Sequence, residues 1–483
     1  MQEKNGFARD KILQRSMKKS RASLQKTVAL KLETGMFRIP TVSQKVISMT
    51  AESHEKAAEA RAISFLRDLI AAQADGESAV QKVIVERLTA AGCEISELTY
   101  DPSTVPAIGD FGTGAKQASG ARTAVVGTYK GDPGKCSLLV FAHPDGEKLQ
   151  TDHGWKRDPF AGTIDNGRIY GWGVADDLAG CAAAVLAIEE AACAATSLGT
   201  VVFASTPSKK NARGVAALLH EGLSADASLY LHPAESGVGM QEIKAVTPGH
   251  LDLKIVVPGC LPDTNEPSHT AFSHRAVNPV DKAILIIAAL QKLAEARVTR
   301  ISHPMIDAFV GRSTNILVSY VKSGNATRFS RVPELCELGV AISFPPHETM
   351  REVQDEVEAA LNACFDADPW LAEHSPTLEW LSGSTGAEVP HDHPLFCVAS
   401  NAVQRVTGKI PFVNPLHAAS DIRNPAVEKG IPTVAFGGLC GDLTQNDKRD
   451  EWVDVADFHR MVRATTEVVT NWCARSRNAG RGK

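Results

Sequence analysis

The chain has 483 residues, 43% hydrophobic and 22% charged, an ordinary globular balance that excludes coiled coil, collagen-like sequence and general disorder. A formal net charge of −5 provides no global basic field to hold a phosphate backbone, so nucleic acid is excluded as the main partner. The longest apolar run, 283–290, is far short of the roughly 20 residues that span hydrocarbon, so no membrane-spanning helix and no membrane partner are expected.

Residues 1–49 read as a solvated basic extension, without the apolar stretch of a secretory signal. From 50 to 246, helical periodicity over 55–73, 78–91, 178–195 and 211–222 alternates with the β-rich runs 122–129, 137–142, 200–205 and 228–232. This alternation predicts an α/β domain with a mostly parallel sheet. The segment 247–382 differs in pattern: strands at 246–259, 315–321 and 337–344, a helix opening at Asn278-Pro279, and a helix carrying Val353, Val357 and Leu361. It reads as an inserted α+β domain. Residues 383–474 then return to the first sheet through the strand 431–436, and 475–483 form a tail. The ten cysteines are scattered, the closest pair being Cys181 and Cys193; this suggests neither a zinc ribbon nor a disulfide scaffold and fits a reducing cytoplasm.

Polar clusters follow the predicted strands, at the carboxyl ends where open α/β sheets form their ligand crevice. His143 and Asp145 follow the run 137–142, spaced so that a carboxylate can orient a metal-binding imidazole. Pro144-Asp145-Gly146 is also a turn signature. Asp176 and Asp177 open the next helix, where an Asp pair alone is usually a cap.

Taken together, HPD (143–145), Trp155, DPF (158–160), DNGRIYGWG (165–173) and the pair 176–177 resemble the metallohydrolases that include acetylornithine deacetylase, succinyl-diaminopimelate desuccinylase, aminoacylase and carboxypeptidase G. HTAFSHRAVNP (269–279), SDIRNP (420–425), GIPTVAFGG (430–438) and DEWV (450–453) extend the resemblance over most of 55–470. It implies a zinc-aminopeptidase-like α/β fold with an inserted lid that dimerises. It also implies His143 and Asp176 as metal ligands, Asp145 as the orienting carboxylate, His269 as an active-site histidine, and a possible cis peptide between Asp176 and Asp177.

The sequence departs from that family where it matters chemically. Lys209 and Lys210 stand at the positions of a general-base Glu and a ligand Glu, Asp447 at that of a ligand His, and His232 at that of an acidic ligand. An ammonium cannot ligate a cation, and an unperturbed lysine is a poor base at neutral pH. The surviving set His143, Asp176 and His232 suits one divalent ion, zinc first, manganese or cobalt next. Lys210 and Asp447 read as the remnant of a second site, with the lysine in the place of a cation. Lys209 is the positional choice for proton transfer, with Glu147, Glu235 and His269 as alternatives. Arg312, Arg331 or Arg423 could grip a substrate carboxylate. The function expected is metal-dependent hydrolysis of an amide or N-acyl C–N bond in a small molecule, by a homodimer. The competing expectations are a non-catalytic relative that has lost its base, and non-hydrolytic chemistry on the same metal.

Overall fold

The computed structural model describes residues 41–112, 120–146, 149, 154–193, 197–209, 212–234, 236–265, 270–415, 421–440 and 450–477, with side chains from 53 onward. Met1–Ala60 and Arg61–Lys483 are two compact units; in the first, the description begins at the helix Thr41–Ala72. Lys210, His269, Asp447, Glu147 and Glu235 lie outside the described residues, as do 1–40 of the basic extension and the end of the tail.

Within Arg61–Lys483 the main sheet has six strands in the order Glu94–Tyr100, Arg122–Tyr129, Val201–Ser205, Leu138–Ala142, Ala227–Leu231, Thr433–Phe436. The first two pairings are antiparallel and the remaining three parallel. The four parallel-paired strands are near-continuous apolar runs because both faces are covered. Along Leu138–Ala142 the period of two is plain: Leu138, Val140 and Ala142 join one core, Leu139 and Phe141 the other. The first core receives the helices Glu77–Ala90, Ala179–Cys193 and Val455–Cys473; the second receives Gly214–His220. Ala179–Cys193 is apolar almost all round, as a fully enclosed helix must be.

A second, five-stranded antiparallel sheet is ordered Asn315–Ser323, Leu335–Phe344, Gly249–Pro258, Thr377–Ser384, Asp110–Gly112. Gly249–Pro258 alternates buried and half-buried residues without interruption, and the helices Pro279–Arg300 and Met350–Ala367 cover its buried face. Asn278 caps the first helix, its side chain accepting from the Val280 amide, as read from the sequence. Val353, Val357, Leu361 and Phe365 form the buried stripe of the second. Two members of this sheet were not expected: Thr377–Ser384, and Asp110–Gly112, which comes from upstream of 247. A three-residue strand ending in glycine carries no periodic signal.

Candidate active site

The site lies where four parallel-paired strands end. His143 directly follows Leu138–Ala142, and Thr206 directly follows Val201–Ser205. The His143 ring is fully enclosed. Its Nδ1 donates to the Thr206 carbonyl oxygen at 2.7 Å, leaving Nε2 facing the Tyr230 hydroxyl at 2.9 Å and Asp421 Oδ2 at 3.0 Å. Burial, the largest single influence, opposes a charged ring, but the Asp421 hydrogen bond and the charges of Asp421, Asp177 and Asp145 outweigh it and raise the imidazole to about 9.

Asp145 does not orient the His143 ring; the Thr206 carbonyl does. The Asp145 carboxylate accepts from the backbone amides of Ser208 (2.9 Å) and Lys209 (2.8 Å) and from Arg122 (2.9 Å). It thereby fixes the loop that aims Lys209. The Lys209 ammonium is paired with Asp176 Oδ2, both side chains being 13% exposed. A carboxylate beside an ammonium favours its charged form, which has no lone pair to accept a proton with.

Asp176 and Asp177 are joined by a cis peptide bond, as the resemblance implied. Gly173, at φ 70°, begins the turn that leads into them. Glu451, 1% exposed, holds this turn from the other side, accepting from the amides of Gly173 (3.1 Å) and Ala175 (2.7 Å). Burial pushes its carboxyl up to about 8, against the pull of those amides and of Lys209. Burial also drives Asp177 well above the carboxylate range.

His232 follows Ala227–Leu231 and is buried. Gly437 approaches its carbonyl so closely that a Cβ there would lie 1.9 Å from the oxygen. Its Nδ1 is 2.7 Å from Nζ of Lys244, a residue 2% exposed. The same Nδ1 lies 3.2 Å from the Pro233 carbonyl oxygen, which accepts, so the ammonium and the carbonyl ask opposite proton positions of that nitrogen. Among the described residues, no three His, Cys, Asp or Glu side chains are grouped to hold a metal ion.

A cavity of about 300 Å³ opens beside this cluster, lined by Asp110, His143, Ser208, Arg213, Asp421 and Arg423. Arg423 therefore shares a chamber with His143, and burial lowers its guanidinium below the usual range despite Asp421 and Asp110. Arg312 and Arg331 are exposed, beside the second sheet. Asp421, Tyr230, Glu451 and Lys244 were not foreseen as site residues. Asp421 was within reach of sequence reasoning, as the acid of SDIRNP; Lys244 carried no signal, being one lysine near a short strand.

An α/β sheet whose strand ends gather imidazoles, carboxylates and ammonium groups beside a small chamber, next to a second antiparallel sheet, defines a crevice for small-molecule chemistry. Residues 139–471 match Peptidase family M20/M25/M40, and the chain belongs to that family. It is 25% identical over 348 residues to N-formyl-4-amino-5-aminomethyl-2-methylpyrimidine deformylase of Halalkalibacterium halodurans, covering 70% of this chain and 79% of that one. It is 25% identical over 413 residues to succinyl-diaminopimelate desuccinylase of Rhodopseudomonas palustris, covering 83% and 95%. The crystal structure of aminopeptidase PepT from Bacillus cereus matches it with a TM-score of 0.62 at 18% identity, covering 85% and 99%. The protein is thus an M20-family metallohydrolase by membership, and members of the family are metal-dependent.

Proposed function

We propose that this protein hydrolyses an amide or N-acyl C–N bond of a small molecule bound between His143 and Arg423. The observation that carries the reading is their shared chamber, with an imidazole whose Nε2 is directed by the Thr206 carbonyl and a guanidinium able to fork onto a carboxylate. His143, Asp176 and His232 have the donor chemistry for one divalent ion, zinc before manganese or cobalt. Such an ion supplies Lewis acidity for the attack of water on an amide carbonyl.

With Lys209 engaged by Asp176, proton acceptance passes to Asp421, whose carboxylate meets Ser208 Oγ at 3.3 Å and lies in the chamber. The activities for which the two relatives are named support N-formyl and N-succinyl amides as the first substrates to test. The experiment is a panel of N-formyl, N-acetyl and N-succinyl amines incubated with zinc-, manganese- or cobalt-loaded protein, products read by mass spectrometry. Release of free amine, abolished by Asp421→Asn, is expected. Absence of product with every metal would sink the reading.

A second reading, a binding protein without turnover, draws on the ammonium at Asp176. Saturable binding of an N-acyl amine with no cleavage would favour it. We further propose that 247–382 is a lid and dimerisation domain, supported by the exposed apolar residues Leu317, Tyr320 and Val321 on its edge strand, and that His269 serves a catalytic site. The absence of any disulfide among the ten cysteines supports a reducing, cytoplasmic setting. No helix among the described residues is long and apolar enough to cross a membrane.

A further inference from the structure

Two of the groups that line the Arg423 chamber, Arg213 and Asp110, belong to different sheets and are bonded to each other. Arg213 follows the segment that carries Ser208 and Lys209 and immediately precedes the helix Gly214–His220. The Ala212 amide donates to the Ser208 carbonyl (3.2 Å) and the Gly214 amide to the Pro207 carbonyl (3.0 Å), so Arg213 is placed by the backbone on either side of it. It takes φ 54°, the left-handed region that few side chains enter. Asp110 opens the short outer strand of the second sheet, opposite Ser384. The Thr385 amide secures the residue before it, donating to the Gly109 carbonyl at 2.7 Å.

The ion pair between them is loose for its kind. Nη1 meets Asp110 Oδ2 at 3.2 Å and Nη2 meets Oδ1 at 3.4 Å, whereas charge-assisted N–H···O bonds run at about 2.7–2.9 Å. The same Nη2 donates to the Pro106 carbonyl at 2.8 Å, so the guanidinium is anchored without Asp110. Asp421, the other carboxylate of the chamber, is held by more: His143 at 3.0 Å, Asn424 at 3.0 Å and the Ser208 hydroxyl at 3.3 Å. The Asp110 side chain is 33% exposed, and its charge acts on Arg423 as well. Asp110 therefore presents both oxygens to one guanidinium and faces the second, which is where a carboxylate entering the chamber would seat itself.

We infer that Asp110 is a built-in competitor, a carboxylate of the chain that an entering ligand carboxylate displaces from Arg213. Asp110 is thereby a specificity-determining residue, setting how strongly an anionic ligand must bind to take its place. The exchange also frees the outer strand of the second sheet from the segment that carries Lys209, so that occupation of the chamber is felt in both sheets. The inference rests on the reading of the chamber as a carboxylate site, not on hydrolysis.

The test is titration calorimetry of the full chain with N-acetylglycine, and with N-acetylglycinamide as a neutral counterpart of nearly the same shape. Asp110→Asn, which removes the charge at nearly constant volume, is expected to bind N-acetylglycine at least fivefold more tightly than the parent, and the amide within twofold. In an Arg213→Gln background the same change should give less than a twofold gain, because Asp110 acts through that guanidinium. A third readout requires no variant: saturating the parent with N-acetylglycine, but not with the amide, is expected to speed backbone hydrogen exchange at 110–112. Equal or weaker binding of N-acetylglycine by Asp110→Asn would overturn the inference, as would no binding by either protein. A gain that persists undiminished with Arg213→Gln would overturn it too, reducing Asp110 to a diffuse charge. A fivefold gain without cleavage of any N-acyl amine would sink the hydrolase reading alone; cleavage without the gain would sink this inference alone.

Discussion

The Lys209 ammonium is ion-paired with the Asp176 carboxylate, in a loop whose backbone amides are held by Asp145. Both side chains are only 13% exposed, so the pair is made in a largely enclosed place. Lys209→Met is expected to destabilise the fold by about 1 kcal/mol or more, because it removes a largely enclosed charge partner of Asp176. The double variant Lys209→Met, Asp176→Asn should lose markedly less than the sum of the two single changes. Urea unfolding of the four proteins measures this, and strict additivity would show that the pair is not coupled.

Lys209→Glu is the sharper variant, because it places a second carboxylate beside Asp176. In chelator it should melt well below the parent, and an added divalent ion should restore it, since a ligand confined to the folded state stabilises by mass action. Metal content by elemental analysis is expected to rise relative to the parent. Unchanged stability in chelator, with unchanged metal content, would remove Lys209 from any role as resident cation.

Glu77 gives a pH dependence. Burial first, then the charge of Asp145, raises its carboxyl to about 7 from 4.5, against the pull of Arg122. The folded protein thus keeps a proton that the unfolded chain releases, and stability from this group is complete below pH 4.5. It is lost as pH rises through about 7, by up to about 3 kcal/mol. Glu77→Gln should flatten the stability profile between pH 5 and 8 in chemical denaturation, and an unaltered slope would contradict the raised carboxyl.

Arg423 shares the His143 chamber, whereas Arg312 and Arg331 are exposed. On any substrate bearing a carboxylate, Arg423→Ala is expected to raise KM at least tenfold, and Arg423→Lys to recover only part, because an ammonium lacks the bidentate fork. Arg312→Ala and Arg331→Ala should change KM less than twofold. Steady-state kinetics on the best N-acyl amine decides it, and equal effects at all three positions would disperse the proposed carboxylate grip.

What could be read from the chain in advance follows from how each signal is written. Strand Arg122–Tyr129 matched its predicted span, and Leu138–Ala142 came within a residue of its own, because apolar runs bounded by turn residues are local signals. The helix Pro279–Arg300 was legible through its Asn-Pro start. His143, Asp176 and Lys209 were legible as a cluster because each follows a strand or opens a helix. Their pairing was not. That Lys209 meets Asp176, and that Asp145 serves the loop at 208–209, depends on hydrogen bonds between segments about 30 to 65 residues apart, and no spacing encodes them. Lys244 is the extreme case, a buried ammonium whose importance comes entirely from the imidazole it touches.

The strand Asn315–Ser323 is the outer member of the second sheet, paired on one side with Leu335–Phe344. Such an edge presents unpaired backbone groups, and chains that remain monomeric usually defend it with charge, proline or a bulge. Here one register shift falls between Val318 and Tyr320, yet Leu317, Tyr320 and Val321 remain 59%, 47% and 56% exposed. The neighbouring helix adds Ile284 and Leu285, at 58% and 42%. The proposed dimer would cover this edge by pairing it with a second copy. Leu317→Lys with Val321→Lys should then yield a monomer by light scattering, with the melting temperature little changed at low protein concentration, because these side chains support no core of their own chain. A parent that is already monomeric at micromolar concentration, or a double-lysine variant that stays dimeric, would mean that this edge is not the interface.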